Sequence, residues 1–143
     1  MKNTDQPVVV EQIFDLPASQ LWPIITDPDH MREWFFGNIP EFRAEEGFKT
    51  QFEVQAETDA FMHLWEITKV DHGRMIRYNW RYAGFPGDSF VTMELIPQNG
   101  QTLLRLTHEI TESFPEHIPE FSREACLAGW NYFIVEQLKK YAS

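Results

Sequence analysis

The last stretch of the chain, PEFSREACLAGWNYFIVEQLKKY (residues 119–141), most constrains what this sequence can fold into. Leu127, Trp130, Ile134, Leu138 and Tyr141 recur at spacings of three and four, which puts them on one stripe of a helix, and Phe121 and Phe133 widen it. Pro119 suits a first helical turn. Acidic Glu120 and Glu124 stand near the positive end of the helix, and Lys139 and Lys140 near its negative end. At 1.5 Å per residue the rod would be roughly 34 Å long. An apolar stripe of that length must be covered by something else in the chain.

The middle of the sequence supplies the cover, because its hydrophobic period changes to two from about residue 41. Thr50, Phe52, Val54 and Ala56 alternate with Gln51, Glu53, Gln55 and Glu57. In the next strand Phe61, His63, Trp65 and Ile67 are expected to face inward, with a bulge before Val70. Asp71-His72-Gly73 reads as a hairpin turn. Ile76, Tyr78, Trp80 and Tyr82 then alternate with Met75, Arg77, Asn79 and Arg81. Val91, Met93 and Leu95 line a further strand, Gln98-Asn99-Gly100 turns it back, and Leu104, Leu106 and His108 form the last apolar face.

Before this meander, VVVEQIFDL predicts a strand ending at Pro17. Two short helices follow, one with Pro23 in a first turn capped by Ser19, the other starting at DPDHMREWF and ending near Gly37. Residues 1–6 are expected to be frayed, and TESFPEHIPE to be a linker. One strand, two short helices, five or six meandering strands and a long helix of about 119–141 make an α+β fold with one sheet face covered. At 143 residues, 1–143 is read as a single domain.

FDLPASQLW (14–22), DPDHMREWF (27–35), VDHGRMIRYNW (70–80), TLLRLTH (102–108) and GWNYFIVEQL (129–138) follow one another in this order and spacing. Together they resemble the Bet v 1-like helix-grip superfamily, also called SRPBCC or START-like. Within it they are most similar to the Aha1-homology group (activator of Hsp90 ATPase homologues) of small bacterial proteins. The resemblance implies a curved seven-stranded antiparallel sheet wrapped around the C-terminal helix, with a cavity between them that takes hydrophobic small molecules. It implies no catalytic residues, since the superfamily includes lipid carriers, cyclases, hydrolase-like members and a chaperone activator.

Function classes are narrowed further by charge and motif. A formal net charge of −10 with no Lys/Arg cluster opposes nucleic acid and anionic membrane surfaces. The single cysteine, Cys126, forms no internal disulfide, and MKNTDQPVVVEQ has no signal-peptide core, so a cytoplasmic protein is expected. No run approaches the length of a membrane span. Motifs for nucleotide binding, serine hydrolysis and zinc are missing, so no cofactor, no metal and no catalytic set is assigned. Cys126 has only Arg123 near it in sequence and reads as a structural thiol. Gly129, unusual in mid-helix, either lets the sheet, a loop or a ligand approach closely or reflects close packing alone.

The leading expectation is a binder of a small apolar or aromatic molecule. Its contacts from the sheet are Phe52, His63, Trp65, Tyr78, Trp80, Met93 and His108, and from the helix Trp130 and Phe133. Trp34, Phe35 and Phe36 are expected to cap the cavity, which the large inward aromatics could themselves fill. Two other classes stay open: a protein-interaction module, for a chaperone-like or stress-related partner or a second copy of the chain as a homodimer, and a cyclase- or hydrolase-like enzyme using His63 or His108 as acid/base.

Overall fold

A computed structural model describes residues 1–56 and 59–143. The chain runs β1 (Val8–Phe14), α1 (Ala18–Thr26), α2 (Pro28–Trp34), then β2 (Lys49–Gln55), β3 (Ala60–Asp71), β4 (Met75–Tyr82), β5 (Asp88–Gln98) and β6 (Gln101–Glu112). After a 3-10 turn at Pro119–Phe121 the C-terminal helix follows. It begins as α3 (Arg123–Trp130), continues as a π-helical stretch (Asn131–Leu138) and ends in a short α-turn, α4 (Lys139–Tyr141). Helical dihedrals at Asn131 and Lys139 carry it through both junctions.

All strands are antiparallel neighbours in the order β1-β6-β5-β4-β3-β2. Hairpins account for every pairing except β1 with β6. Gly73 (φ 83°) closes one hairpin, and Asn99 (φ 50°) with Gly100 (φ 84°) another, both where the backbone must turn left-handed. The register slips between Ile67 and Lys69, the bulge expected before Val70. The inward faces are those the alternation predicts: Phe61, His63, Trp65 and Ile67 on β3, Ile76, Tyr78 and Trp80 on β4, and Leu104, Leu106 and His108 on β6 are all buried. The expected position of Glu57 lies outside the described residues.

The helix-grip architecture is present with six strands among the described residues, not the seven that the resemblance implies. Where another strand could lie, residues 35–48 run without helix or strand. Ile39 and Phe42 are buried three residues apart, a spacing that cannot alternate, and Pro40 brings no N–H to a ladder.

The stripe of the C-terminal helix also differs from its expected form. Trp130, Ile134 and Leu138 are buried, but Leu127 and Tyr141 are exposed at 42% and 39%. The buried residues are four apart throughout. The i→i+5 hydrogen bonds of the π stretch widen each turn, so residues four apart stay stacked where an ideal α-helix would rotate them away. Burial of Ile134 and Leu138 against the sheet stabilises the grip by about 1.5–3 kcal/mol each.

Four local expectations are corrected. Pro17, not Ser19, occupies the N-cap of α1, no side chain caps it, and Pro23 lies inside the helix. α2 does carry a side-chain cap, Asp27, which accepts from the Asp29 amide at 2.9 Å, and the helix ends at Trp34. Residues 1–6 are tied down rather than frayed: Met1 is buried, its amine donates to the Phe121 carbonyl (2.7 Å), and the Asn3 amide donates to Ser113 Oγ (3.0 Å). The segment read as a linker buries Phe114, which packs with Met1, Phe61, Ile110 and Phe121 in a second small core.

Candidate functional site

Between the sheet and the C-terminal helix lies a cavity of about 130 Å³. Strands β3, β4 and β6 bring His63, Trp80, Tyr82 and His108 to it, and the helix brings Cys126, Gly129, Trp130 and Phe133. Phe36 closes it from the segment after α2, with Met1, Glu120 and Ala125 at its rim. Of the nine expected contacts, His63, Trp80, His108, Trp130 and Phe133 line this space. Phe52, Trp65, Tyr78 and Met93 do not, because aromatic rings from residues 35–42 and the core itself occupy the volume in front of them.

Those rings form a continuous stack. Phe35 lies 5.5 Å from Trp65, 5.7 Å from Trp130 and 4.9 Å from Phe133 between ring centroids. Phe36 lies 5.3 Å from Phe52 and 5.2 Å from His63. Phe42 covers Tyr78 at 5.6 Å. The corner of Trp34, Phe35 and Phe36 therefore folds over the sheet as the expected cap, and it also fills much of the space it caps.

The polar groups of the cavity have defined protonation. The Trp130 indole N–H donates to His108 Nδ1 at 3.0 Å. An indole can only donate, so Nδ1 is the bare nitrogen, and Nε2–H donates to Ser89 Oγ at 2.9 Å. Ser89 in turn donates to the Trp80 carbonyl at 2.6 Å. His108 is thereby satisfied on both sides, and burial pushes its pKa down to about 3. His63 Nδ1 lies 3.1 Å from the Phe61 carbonyl, which can only accept; Nδ1 carries the proton and Nε2 is left as a bare acceptor. Burial lowers its pKa to about 4, with the carbonyl contact opposing. The Tyr82 oxygen accepts from Trp80 Nε1–H at 3.0 Å and keeps its own hydrogen to give.

Cys126 Sγ is 3.4 Å from His108 Nδ1, a pair that sequence spacing did not reveal. It is no nucleophile–base dyad. Burial raises the thiol to about 12, and the imidazole nitrogen it faces is already occupied by Trp130. Among the described residues no cluster of His, Cys, Asp or Glu could hold a metal ion.

Two other inward groups have no partner at all. Trp65 Nε1 and Tyr78 Oη are fully buried without a hydrogen bond, though their rings sit only 5.1 Å apart. Each such orphan costs about 1–3 kcal/mol. Among the described residues these two are the fully buried side-chain N or O atoms that lack a partner.

Gly129 resolves the choice left by the sequence. A Cβ built there would meet nothing within 4 Å among the described residues, so close packing is not the reason for a glycine in mid-helix. Its missing side chain leaves the cavity wall open. The sequence reading missed Tyr82, Ala125, Glu120 and Met1, and it placed Phe36 there as part of the cap. Tyr82 alone carried a signal, since it continues the inward face of β4; the others depend on how loops and termini close the mouth.

No helix among the described residues is long and apolar enough to cross a membrane. The family model described as Activator of Hsp90 ATPase homolog 1-like protein matches residues 15–143. No curated protein matches the sequence. Among solved structures, protein CV1439 from Chromobacterium violaceum is 23% identical with a TM-score of 0.78, covering 95% of this chain and 96% of that one. Protein MLL2253 from Mesorhizobium loti is 26% identical with a TM-score of 0.73, covering 95% and 96%. DynU16, a putative protein in the dynemicin biosynthetic locus, is 22% identical with a TM-score of 0.74; the match covers 96% of this chain but 47% of DynU16. These likenesses concern the fold.

Proposed function

Because the chain belongs to the Activator of Hsp90 ATPase homolog 1-like family, a helix-grip fold, we propose that it acts as one domain binding a small, uncharged aromatic or apolar molecule between sheet and helix. The observation that carries this reading is Gly129, a costly residue in mid-helix with open space where its side chain would be, at the wall of a cavity. The unspent polar capacity supports it. His63 Nε2 can accept and Tyr82 O–H can donate, on rings whose centroids are 4.8 Å apart, so an aromatic hydroxyl between them would have both needs met. A volume of about 130 Å³ is close to the roughly 150 Å³ of an apolar cavity that takes benzene. No lysine or arginine lines it, which argues against an anionic ligand.

Chemistry is the weaker use of this site. Both histidines are held neutral far below physiological pH, His108 is saturated, and Cys126 is a thiol. A general acid or base works best with a pKa near the operating pH, and none of these groups has one.

Native mass spectrometry of freshly purified protein beside a denatured control tests for a carried ligand. A titration with phenol, followed by the NMR signals of His63 and Tyr82, tests the cavity directly. Saturable shifts are expected, and Gly129→Leu should weaken binding at least about tenfold by placing a side chain over the cavity wall. Phenol that does not bind, or binds equally well to Gly129→Leu, would remove this reading and leave a partner-docking role that is indifferent to the cavity.

A further inference from the structure

Apolar side chains left on the surface gather on one side of the molecule. The exposed large hydrophobics among the described residues are Val9 and Ile13 on β1, and Leu127, Tyr132, Val135 and Tyr141 on the C-terminal helix. β1 is an edge strand, and the helix runs along it. Tyr141 is taken up by His30, whose Nδ1 lies 2.7 Å from its hydroxyl. Val9 and Ile13 alternate with buried Val8 and Val10 and so stand on the outer face of the sheet. Leu127, Tyr132 and Val135 belong to the side of the helix turned away from the core. An apolar cluster of this kind marks a contact surface.

The edge of β1 is closed at both ends and open in the middle. Arg123 donates to the carbonyls of Gln6 and Pro7, and Lys139 Nζ to that of Ile13 at 2.7 Å, an oxygen that Gln12 Nε2 also reaches at 3.0 Å. Backbone groups alternate sides along a strand, so the N–H and C=O of Val9 and Glu11 point the same way as those capped carbonyls, away from β6. Among the described residues no strand pairs with them. Arg123, Leu127, Asn131, Val135 and Lys139 are four apart and make one row of the helix along this edge. The midpoint between the two caps falls near Val10 on the strand and at Asn131 on the helix, so a single two-fold axis can pass through both.

We propose that this face binds a second copy of the chain, with the two β1 strands antiparallel about Val10 and the two helices antiparallel about Asn131. Val9 and Glu11 then exchange backbone hydrogen bonds with the partner's Glu11 and the partner's Val9. Ile13 meets the partner's Pro7 and Leu127 meets the partner's Val135, so apolar groups cover apolar groups. In the next row of the helix Glu124 comes opposite the partner's Lys140, with Tyr132 at the centre. Glu124 and Lys140 are both exposed, and among the described residues neither has an ion-pair partner in its own chain. Arg123 comes opposite the partner's Lys139, a repulsive contact, but each stays on the strand carbonyl it already caps and Glu124 stands beside it. Charge favours self-association at this face and opposes it elsewhere. Arg123, Lys139 and Lys140 outnumber Glu124 and Glu136 on the outer side of the helix, in a chain of net charge −10. The surface is separate from the cavity, which none of these residues lines.

Sedimentation equilibrium of the full chain over a concentration series reads the mass, which should rise to twice that of the monomer. The Glu124–Lys140 contact occurs twice in a symmetric dimer, so Glu124→Lys and Lys140→Glu should each weaken dimerisation about tenfold. The double variant, which restores opposite charges with their signs exchanged, should return to within about twofold of the original chain. Val9→Pro removes an outward N–H and leaves the ladder with β6 intact, as an edge strand allows. It should weaken the dimer about thirtyfold with an unchanged circular dichroism spectrum. A chain that stays monomeric up to about 1 mM overturns the proposal and leaves this face to a different protein. A dimer indifferent to both charge reversals, or a double variant as weak as the single ones, overturns it by placing the contact elsewhere.

Discussion

Replacing Gly129 with alanine should make this protein more stable, and the size of the gain follows from its place in the helix. Glycine in a helix interior is less favourable than alanine by about 0.5–1 kcal/mol, because the unfolded chain has more freedom to lose. The gain is realised only where the new methyl group fits, and here nothing lies within 4 Å of its position. Gly129 also has no positive φ that alanine would have to strain against. With an unfolding entropy near 2.1 cal/mol/K per residue, a chain of 143 residues should gain roughly 2–3 °C in Tm. Thermal unfolding by circular dichroism, paired with a urea titration at unchanged m-value, measures it. A lowered Tm would refute the reasoning: it would mean that the methyl group meets the sheet or a loop, and that the helix sits closer to β3 and β4 than an open cavity allows.

Further outcomes follow from the buried polar groups. Tyr78→Phe, which deletes a buried hydroxyl with no partner, should leave the unliganded protein as stable or up to about 1 kcal/mol more stable in urea; a loss above that range would mean the hydroxyl is bonded. His63 and His108 have folded pKa values near 4 and 3, below the unfolded value of 6.5, so the unfolded chain takes up protons first as pH falls. The stability each contributes is present above about pH 6.5 and is lost between 6.5 and the folded value, at about 1.4 kcal/mol per pH unit. His63→Gln should therefore flatten the urea-derived stability profile between pH 6 and about 4.5, and an unchanged slope would contradict its burial as a neutral ring. Cys126, raised to about 12, should react with iodoacetamide at pH 8 roughly a thousandfold more slowly than a free thiol, with mass spectrometry showing full modification only on unfolding.

The strands were legible because alternation is a local signal that tertiary packing obeys. Ile76, Tyr78 and Trp80 face inward in the sequence pattern and in the fold, and the turns at Gly73 and Asn99-Gly100 sit where the residue types require them. The helix was less so. Its stripe was read at the α-helical period; Leu127 and Tyr141 fall outside it, and the π stretch from Asn131 to Leu138 is a change of pitch that no residue type announces. The site divided in the same manner. Inward-facing residues of β3, β4 and β6 could be named, but which of them reach open space depends on what else fills the interior. Phe35, Phe36 and Phe42 do so in front of Trp65 and Tyr78, from a segment with no period to read. The pairing of His108 with Trp130 and Cys126 joins a strand to a helix, and only the three-dimensional arrangement brings it out.

The one pairing that no hairpin makes has a consequence for how the molecule comes into being. β1 aligns Val8 with His108, one hundred residues later, whereas β2 to β6 can zip together between neighbours. Closing so long a loop is entropically slow, and nothing rewards it until β6 exists. During synthesis the first strand to leave the ribosome must wait, solvent-exposed and rich in valine, for almost the whole chain. The order of assembly is then the meander, β1 against β6, and last the helix that lies along β1. The cavity wall is finished only when folding is, so a nascent chain has no binding site until it has a complete one.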